Sequence, residues 1–449
     1  MADILWSPDK NKIKKSYMSV LKKKINYRHN LDLKSYNDLY DWSVSNIDLF
    51  WEILWYDLDI IYSKNFKNVI DDENKMPGAN WFSGSKLNFS ENLLRYKDSN
   101  KIALKFYNEK GHYKELSYKN LYALVSKVSY SFKDMGLKEG DRVCAVMPNI
   151  VETIVSMLAA ASIGIIWSSC SPEFGTQGIL DRFKQINPKL LICSNGYYFK
   201  GKTYNIIDKM LSISESILSI NNVVVVNYVD GIKADKSFID WDRIIDNNSD
   251  EVIFNQLPFN HPLYIMYSSG TTGKPKSIVH SAGGTLIQHM KELKYHVDLR
   301  EEDSIFYYTT CGWMMWNWLV SSLSFGSCIV LYEGSPFYPN KDSLLKKMDN
   351  IINDVTPPIG IISSPHSGQT VSGNVNFTVE AQDENGISEL EFSIDGVEVI
   401  SVNNEASYTH VWDTTILENN SEHILSASVT DNFGNRTILQ PVLVTVLNQ

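Results

Sequence analysis

The chain has 449 residues, of which 43% are apolar and 21% are charged. This length exceeds that of one ordinary domain and predicts two or three. The composition is that of a soluble globular chain with ample core-forming material, which excludes a disordered, collagen-like or coiled-coil protein. The formal net charge of −10 argues against a nucleic acid or an anionic membrane as the main partner.

The charges are distributed unevenly along the chain. Residues 356–449 contain one basic residue, Arg436, and twelve acidic ones, whereas residues 1–355 contain 41 basic and 40 acidic residues. Ten of the eleven tryptophans and all five cysteines also precede residue 356. Because the two parts differ so much in composition, we predict two unrelated modules.

The cysteines indicate neither a disulfide framework nor a zinc site. They lie at irregular spacings without a Cys-x-x-Cys pair, which predicts buried, reduced thiols. The most apolar stretch, 150–167, is interrupted by Glu152 and other polar residues, so no membrane-spanning helix is predicted. The N-terminus lacks the basic-then-apolar order of a signal peptide. We therefore expect a cytoplasmic protein, and we assign no metal site.

The first part of the chain shows the pattern of an α/β domain. Apolar residues at helical spacing over 121–135, between a capping Ser117 and a terminating Gly136, predict a helix. A second helix is predicted over 150–163. Four short runs are apolar at nearly every position, which is typical of a parallel sheet covered by helices on both faces: 142–147, 165–167, 190–193 and 223–226.

The second part follows a period of two. Asp395-Gly396 predicts a tight hairpin, because both central positions of such a turn need a positive φ, and residues 431–435 predict another turn. Trp412 is the expected core aromatic residue. Five runs alternate apolar with polar residues, which predicts half-buried antiparallel strands in a small immunoglobulin-like β-sandwich: 375–381, 390–394, 408–412, 425–429 and 442–446. Its boundary is placed at Thr356-Pro357-Pro358, where paired prolines end the preceding helix.

Residues 267–276, Tyr-Ser-Ser-Gly-Thr-Thr-Gly-Lys-Pro-Lys, form the most informative segment. Two glycines allow a tight turn, hydroxyl and amide groups supply donors, and two lysines supply positive charge, so the fitting ligand is a polyphosphate. Two residues rather than four separate the glycines, so this is not a Walker A loop. A flexible surface turn is the alternative. The predicted phosphate-binding residues are Tyr267, Ser268, Ser269, Gly270, Thr271, Thr272, Gly273, Lys274 and Lys276.

This loop resembles the phosphate loop of the adenylate-forming acyl-CoA synthetase superfamily. Four further segments resemble acetoacetyl-CoA synthetases in particular: 81–92 (WFSGSKLNFSEN), 278–284 (IVHSAGG), 309–317 (TTCGWMMWN) and 330–336 (VLYEGSP). The second part resembles bacterial Ig-like domains of surface and secreted proteins. The resemblance implies three regions, namely part of a synthetase N-terminal domain at 1–340, a linker at 341–355 and an Ig-like sandwich at 356–449.

Such enzymes join a carboxylic acid to AMP from ATP, release pyrophosphate, and then exchange AMP for CoA. The resemblance therefore implies a ligase that uses acetoacetate, ATP, Mg²⁺ and CoA. The loop would hold the β- and γ-phosphates, with Lys276 as the main charge clamp. Lys200, Gly201 and Lys202 would contact the CoA nucleotide. Gly312, Trp313, Met314 and Met315 would line the acyl pocket. No catalytic residue is assigned.

Ordinary structural roles explain several of these residues as well. Core packing accounts equally well for Trp313, Met314 and their neighbouring tryptophans, and a solvated loop accounts better for 200–202. We expect His280 to be a hydrogen-bonded structural residue, because the sequence places no partner acid or nucleophile beside it. His289 and His296 lie seven residues apart rather than four, so they are not assigned to a metal.

The resemblance to the synthetases stops at about residue 340. Beyond it, the family's adenine-binding segment, magnesium motif, ribose-binding Asp and mobile C-terminal domain are not recognised, and the sandwich follows. We therefore expect a truncated or fused form in which ligase activity is impaired or absent. Two alternatives stay open: a non-enzymatic, surface-type protein whose working part is the Ig-like domain, and two coding regions joined by deletion, frameshift or assembly error.

Overall fold

The structure is a computed structural model that describes residues 7–268, 273–353, 357–383, 386–431 and 435–448. The chain divides into two compact units, Met1–Tyr338 and Pro339–Gln449. Four residues predicted for the phosphate loop, Ser269, Gly270, Thr271 and Thr272, lie outside the described residues. So does the centre of the turn predicted at 431–435.

The first unit combines helices with mostly short strands. Its helices are α1 (Lys10–Lys15), α2 (Tyr17–His29), α3 (Tyr36–Ser45), α4 (Ile47–Asp57), α5 (Phe89–Leu93), α6 (Tyr118–Asp134), α7 (Val151–Ser162), α8 (Thr176–Phe183), α9 (Ile207–Ser216), α10 (Trp241–Ile245), α11 (Ala282–Lys291) and α12 (Met314–Val320). A π-helical turn (Glu292–His296) continues α11, and a 3₁₀ turn (Ser321–Phe325) continues α12.

The strands of this unit are β1 (Tyr62–Lys64), β2 (Asn68–Ile70), β3 (Trp81–Ser83), β4 (Lys86–Leu87), β5 (Ile102–Asn108), β6 (Tyr113–Ser117), β7 (Arg142–Val146), β8 (Ile166–Cys170), β9 (Leu190–Ser194), β10 (Gly196–Phe199), β11 (Lys202–Asn205), β12 (Asn222–Val226), β13 (Ile239–Asp240), β14 (Leu257–Pro258), β15 (Pro262–Ser268), β16 (Lys276–Ser281), β17 (Ser304–Phe306) and β18 (Cys328–Glu333).

Helix α6 begins and ends where the sequence predicts. Ser117 Oγ accepts a hydrogen bond from the backbone N–H of Asn120 and caps the first turn. Past the last turn, Gly136 has a φ of +79°, a conformation that costs glycine little. Leu121, Val125, Val128 and Phe132 face the core and are buried, and Leu124 is partly buried against it.

The central sheet has the strand order β13-β12-β9-β7-β8-β15-β16 among the described residues. Neighbours are parallel from β13 to β15, and β16 is antiparallel to β15. Along β7, Val143 and Ala145 belong to one apolar cluster, and Cys144 and Val146 to another. Both faces of the sheet are therefore buried. This explains the uniformly apolar strands and confirms the predicted α/β fold.

A second sheet has the order β17-β18-β5-β6 in the described part of the unit, with β6 antiparallel to β5 and the other pairs parallel. Short strands form three further pairings: β1-β4-β14, β2-β3 and the hairpin β10-β11. All five cysteines are buried and unpaired, as the sequence predicts.

The second unit contains a helix followed by a β-sandwich. Its elements are α13 (Ser343–Asn353), β19 (Ile359–Ser364), β20 (Thr370–Val371), β21 (Asn374–Gln382), β22 (Ile387–Ile394), β23 (Val397–Asn403), β24 (Ser407–Asp413), β25 (Glu422–Asp431), β26 (Arg436–Ile438) and β27 (Val442–Val446). One sheet has the order β19-β21-β24 and the other β20-β27-β25-β22-β23, with β26 paired to β25. Helix α13 occupies most of the predicted linker at 341–355, and the three-region division stays a prediction.

The sandwich core is built by the period-two residues. Phe377 and Phe392 are fully buried, and their rings meet edge to face at 5.0 Å. Asp395 and Gly396 have φ values of +51° and +79°, as the predicted tight hairpin requires. Trp412 differs from expectation, because it is only partly buried at the margin of this core. The aromatic centre is supplied by the two phenylalanines.

We predict that residues 356–449 fold alone, because the apolar cluster of the sandwich draws its buried residues from within that range. The isolated segment should show sheet-type circular dichroism and unfold cooperatively in urea. Phe392→Ala should lower its free energy of unfolding by about 3–5 kcal/mol. The exposed control Ile416→Ala should change it by less than about 0.5 kcal/mol. A random-coil spectrum would contradict both the boundary and the fold.

Candidate functional site

A cavity of about 540 Å³ lies at the carboxyl ends of β8 and β15. Its lining includes Tyr267 and Ser268, which begin the predicted phosphate loop. It also includes Gly312, Trp313 and Met314, three of the four residues predicted for the acyl pocket. The carboxyl edge of a parallel sheet is where ligands bind in open α/β folds. Two separately predicted segments therefore meet at one cavity.

The aromatic and methionine side chains of this region divide into core and cavity residues. Trp316 is fully buried, and its Nε1 donates a hydrogen bond to Asn149 Oδ1 at 2.9 Å. Trp313 is 66% exposed and Met314 48% exposed. Core packing thus accounts for Trp316, whereas Trp313 and Met314 offer apolar surface to the cavity. Met315 lies apart from it and lines a neighbouring cavity instead.

The described end of the phosphate loop is positively charged and exposed. Lys274 and Lys276 are exposed, and neither forms an ion pair with a described residue. Gly273 has a φ of +106°, which a residue with a side chain adopts only under strain. Lys276 pairs in register with Ser268, which lines the cavity, and exposed cations near this position are suited to holding phosphate groups.

Arg182 adds a cation to the cavity that the sequence analysis did not identify. It lies in α8, and its guanidinium carbon is 4.7 Å from the ring centre of Phe174 and 5.9 Å from that of Tyr267. One guanidinium N–H donates to the carbonyl of Gly178 at 2.6 Å. No local motif marks this residue, because its position depends on how α8 packs beside β15.

His280 lines both this cavity and its neighbour. Its ring centre is 4.9 Å from that of Tyr264, and burial lowers its pKa. The expectation of a hydrogen-bonded structural histidine is met only in part. The ring packs against Tyr264, but among the described residues it makes no hydrogen bond.

Lys200, Gly201 and Lys202 lie in the tight β10–β11 hairpin and line neither cavity. The carboxylate of Glu109 accepts hydrogen bonds from the backbone N–H groups of Lys200 at 3.0 Å and Gly201 at 2.7 Å. A Cβ on Gly201 would come within 2.4 Å of the Tyr338 hydroxyl. The geometry therefore explains these residues as an anchored turn, and their contact with CoA stays a prediction.

A buried carboxyl group, Glu333, lies at the end of β18. It accepts hydrogen bonds from the Tyr228 hydroxyl at 2.7 Å and from the backbone N–H of Tyr198 at 3.3 Å. Burial raises its pKa to about 8, and the nearby carboxylates of Glu109 and Glu173 add to the effect. Glu333 is therefore mostly protonated at neutral pH.

Family comparisons also divide the chain in two, but the first match runs to 353, beyond the end of the first unit at Tyr338 and over helix α13. Residues 91–353 match the model of the AMP-binding enzyme family, and residues 36–93 match that of the acetyl-coenzyme A synthetase N-terminus. The chain belongs to the AMP-binding enzyme family. Residues 358–434 match the bacterial Ig domain. The resemblances to synthetases and to bacterial Ig-like domains are thereby confirmed.

Within the family, the chain is similar to individual acetoacetyl-CoA synthetases. An acetoacetyl-CoA synthetase of Xenopus tropicalis is 42% identical over 362 residues, covering 78% of this chain and 54% of that protein. One of Rhizobium meliloti is 43% identical over 345 residues, covering 76% and 52%. The solved acetoacetyl-CoA synthetase from Streptomyces lividans superposes with a TM-score of 0.75 at 35% identity, covering 78% and 54%. The chain thus spans about half the length of the relatives it matches.

No helix in the described ranges is long and apolar enough to cross a membrane. The described residues also contain no group of three or more His, Cys, Asp or Glu side chains placed to hold a metal ion. The roles of individual site residues remain predictions.

We predict that Glu333→Gln removes part of the pH dependence of the first unit's stability. Between about pH 4.5 and 8 an unfolded Glu333 is ionised while the folded one keeps its proton, so stability falls as the pH rises. The glutamine amide does not ionise in this pH range. The variant should gain roughly 2–4 kcal/mol relative to the unaltered chain between pH 5 and pH 8.5.

The measurement is urea unfolding of the full chain, followed by tryptophan fluorescence, which reports mainly on the first unit because ten of the eleven tryptophans lie there. The exposed Glu251→Gln serves as control and should show no such pH-dependent gain. Equal stability differences for Glu333→Gln at both pH values would show that Glu333 ionises normally.

Proposed function

We propose that the first unit performs the substrate-binding functions of an ATP-dependent acid–CoA ligase, with a short carboxylic acid of the acetoacetate type as the acid. One observation carries the proposal: Tyr267 and Ser268 share a cavity with Gly312, Trp313 and Met314. An acid in this cavity would lie beside the loop that holds the phosphates. Its similarity to acetoacetyl-CoA synthetases supports the choice of acid.

The first half-reaction would join the acid to the nucleotide. A carboxylate oxygen attacks the α-phosphorus of ATP, forming an acyl-adenylate, while the α–β phosphoanhydride bond breaks and pyrophosphate leaves. Lys274 and Lys276 would bind the β- and γ-phosphates and stabilise the negative charge that develops on the leaving group. The acid's apolar atoms would contact Trp313 and Met314. Mg²⁺ would enter with ATP.

The second half-reaction transfers the acyl group from AMP to the thiol of CoA. Lys200 and Lys202 are exposed on the β10–β11 hairpin and would supply positive charge for the CoA nucleotide. The remaining partners are small molecules, and we place the protein in the cytoplasm without a nucleic-acid partner.

Binding and turnover are separate questions for this chain. The residues matched to the AMP-binding family end at 353 and the bacterial Ig domain begins at 358. The match to the Xenopus tropicalis acetoacetyl-CoA synthetase covers 54% of that protein. We propose that the 449-residue polypeptide binds phosphates and acid but is impaired in ligation. A non-enzymatic role of the Ig-like domain is the alternative, and it predicts no phosphate binding at the loop.

We predict that Lys276→Ala weakens pyrophosphate binding by about 1.5–3 kcal/mol, which is the usual contribution of a charge-assisted hydrogen bond. Calorimetric titration of the full chain measures the effect. Lys233→Ala, which removes another exposed cation of the first unit, is the matched control and should leave affinity unchanged. Equal affinity of Lys276→Ala and the unaltered chain would remove Lys276 from the site.

We predict no measurable turnover by the 449-residue polypeptide. Acetoacetate-dependent exchange of labelled pyrophosphate into ATP should not exceed that of Lys276→Ala. Loss of one electrostatic partner costs roughly 10²–10³ in rate, and several lost together leave no measurable reaction. Exchange well above that of the Lys276→Ala variant would overturn the proposed impairment and establish a working ligase.

A further inference from the structure

A second cavity of about 640 Å³ adjoins the first. His280 and Met314 line both cavities, so the two are neighbours across these side chains. Met314, Met315 and Trp318 form an apolar wall of the second cavity. Its lining also includes a polar group of residues on α11 and the π-helical turn, among them His289 and Glu292. The second cavity is thus apolar on one side and polar on the other.

His289 is held in one orientation by a short hydrogen-bonded chain. Its Nδ1 lies 2.8 Å from Ser321 Oγ, and Ser321 Oγ donates to the carbonyl of Asn317 at 3.0 Å. Ser321 has a single hydroxyl proton, and the carbonyl oxygen can only accept. The contact between His289 and Ser321 is therefore a hydrogen bond from Nδ1–H to Oγ. This arrangement leaves Nε2 as an unprotonated acceptor.

The acceptor atom is free to meet a ligand. His289 is 7% exposed, and its Nε2 has no hydrogen-bond partner among the described residues. Burial lowers the pKa of the ring to about 4, with the charge of nearby His280 acting in the same direction and that of Glu292 against it. The imidazole is therefore neutral at physiological pH. A neutral imidazole nitrogen without a proton can accept one hydrogen bond from a ligand in the cavity.

The charge of the cavity restricts which ligand fits. The carboxylate of Glu292 lines it, 2.9 Å from Lys291 Nζ and 3.0 Å from Gln288 Nε2. A second negative charge at the far end of the acid would face this carboxylate and be disfavoured. The fitting group is consequently not an anion, and it donates a hydrogen bond.

We propose that the second cavity receives the tail of the acid and that His289 Nε2 accepts a hydrogen bond from a hydroxyl or amide N–H on its third or fourth atom. This inference rests on the proposed function, which places the acid's carboxylate in the first cavity. The substrate class becomes short acids with a neutral donor in the tail, such as 3-hydroxybutyrate or malonamate. Acetoacetate presents such a donor only as its enol.

Ligand-observed NMR titration of the full chain, without ATP, tests this with two matched pairs of acids. 3-Hydroxybutyrate should bind about three- to tenfold more tightly than butyrate, the range expected for one hydrogen bond. Malonamate should bind more tightly than malonate. In His289→Leu the ratio of the affinity for 3-hydroxybutyrate to that for butyrate should fall to about one. His289→Gln can place an amide oxygen near the position of Nε2, so it should retain part of this affinity ratio.

Two further variants separate a direct hydrogen bond from a structural effect. His296→Leu makes the same chemical change outside this cavity and should leave the ratio unaltered. Ser321→Ala removes the acceptor that fixes the tautomer, so Nε2–H becomes accessible and acetoacetate should gain relative to 3-hydroxybutyrate. Thermal unfolding of each variant checks its fold, and Ser321→Ala with His289→Gln decides the matter if His289→Leu does not fold.

The outcomes distinguish this inference from the proposed function. Equal binding of butyrate and 3-hydroxybutyrate to the unaltered chain would overturn the role of His289 while leaving acid binding intact. An unchanged ratio in His289→Leu would do the same. No binding of any of the four acids would overturn the acyl pocket as well, whereas pyrophosphate binding by the loop is tested independently.

Discussion

The attachment of residues 309–313 to the ends of β7 and β8 is the contact on which the site depends. Ser169 Oγ donates to the carbonyl of Cys311 at 2.6 Å, and Cys311 Sγ donates to the carbonyl of Met147 at 3.0 Å. A Cβ on Gly312 would lie 3.2 Å from the Cα of Cys170, so only glycine allows this approach without displacement. The attachment places Trp313 at the cavity that Tyr267 and Ser268 also line. It also fixes where α12 begins, and hence where Ser321 meets His289.

The fold was predictable because its signals are local. The capping Ser117, the terminating Gly136 and the uniformly apolar strands each act within a few residues, and a sheet covered on both faces follows from them. The same holds for the hairpin at Asp395-Gly396. Trp412 shows the limit of such reasoning. A period-two pattern identifies the inward face of a strand but not how near a residue lies to the sheet margin.

The site was predictable only where one segment contains several residues suited to the same ligand. The loop at 267–276 concentrates glycines, hydroxyls and lysines, and its position beside a strand end follows from the fold. Arg182, His289 and Glu333 have no such local signature. Their roles arise from contacts between segments distant in the chain, such as Ser321 with His289 and Tyr228 with Glu333. A single sequence does not specify these contacts before the strand order and helix packing are known.

The hairpin at Asp395-Gly396 has a consequence for the chemical ageing of the sandwich. An aspartate followed by glycine can cyclise on the next backbone nitrogen, lose water and reopen as isoaspartate. Here Oδ1 of Asp395 accepts from the backbone N–H of Ile424 at 2.9 Å, and Oδ2 lies 2.6 Å from His423 Nδ1. Both oxygens are thereby held by residues of β25, which restricts rotation of the side chain towards the geometry that cyclisation needs. Folding therefore protects the bond that the turn requires, and each excursion to the unfolded state exposes it to damage.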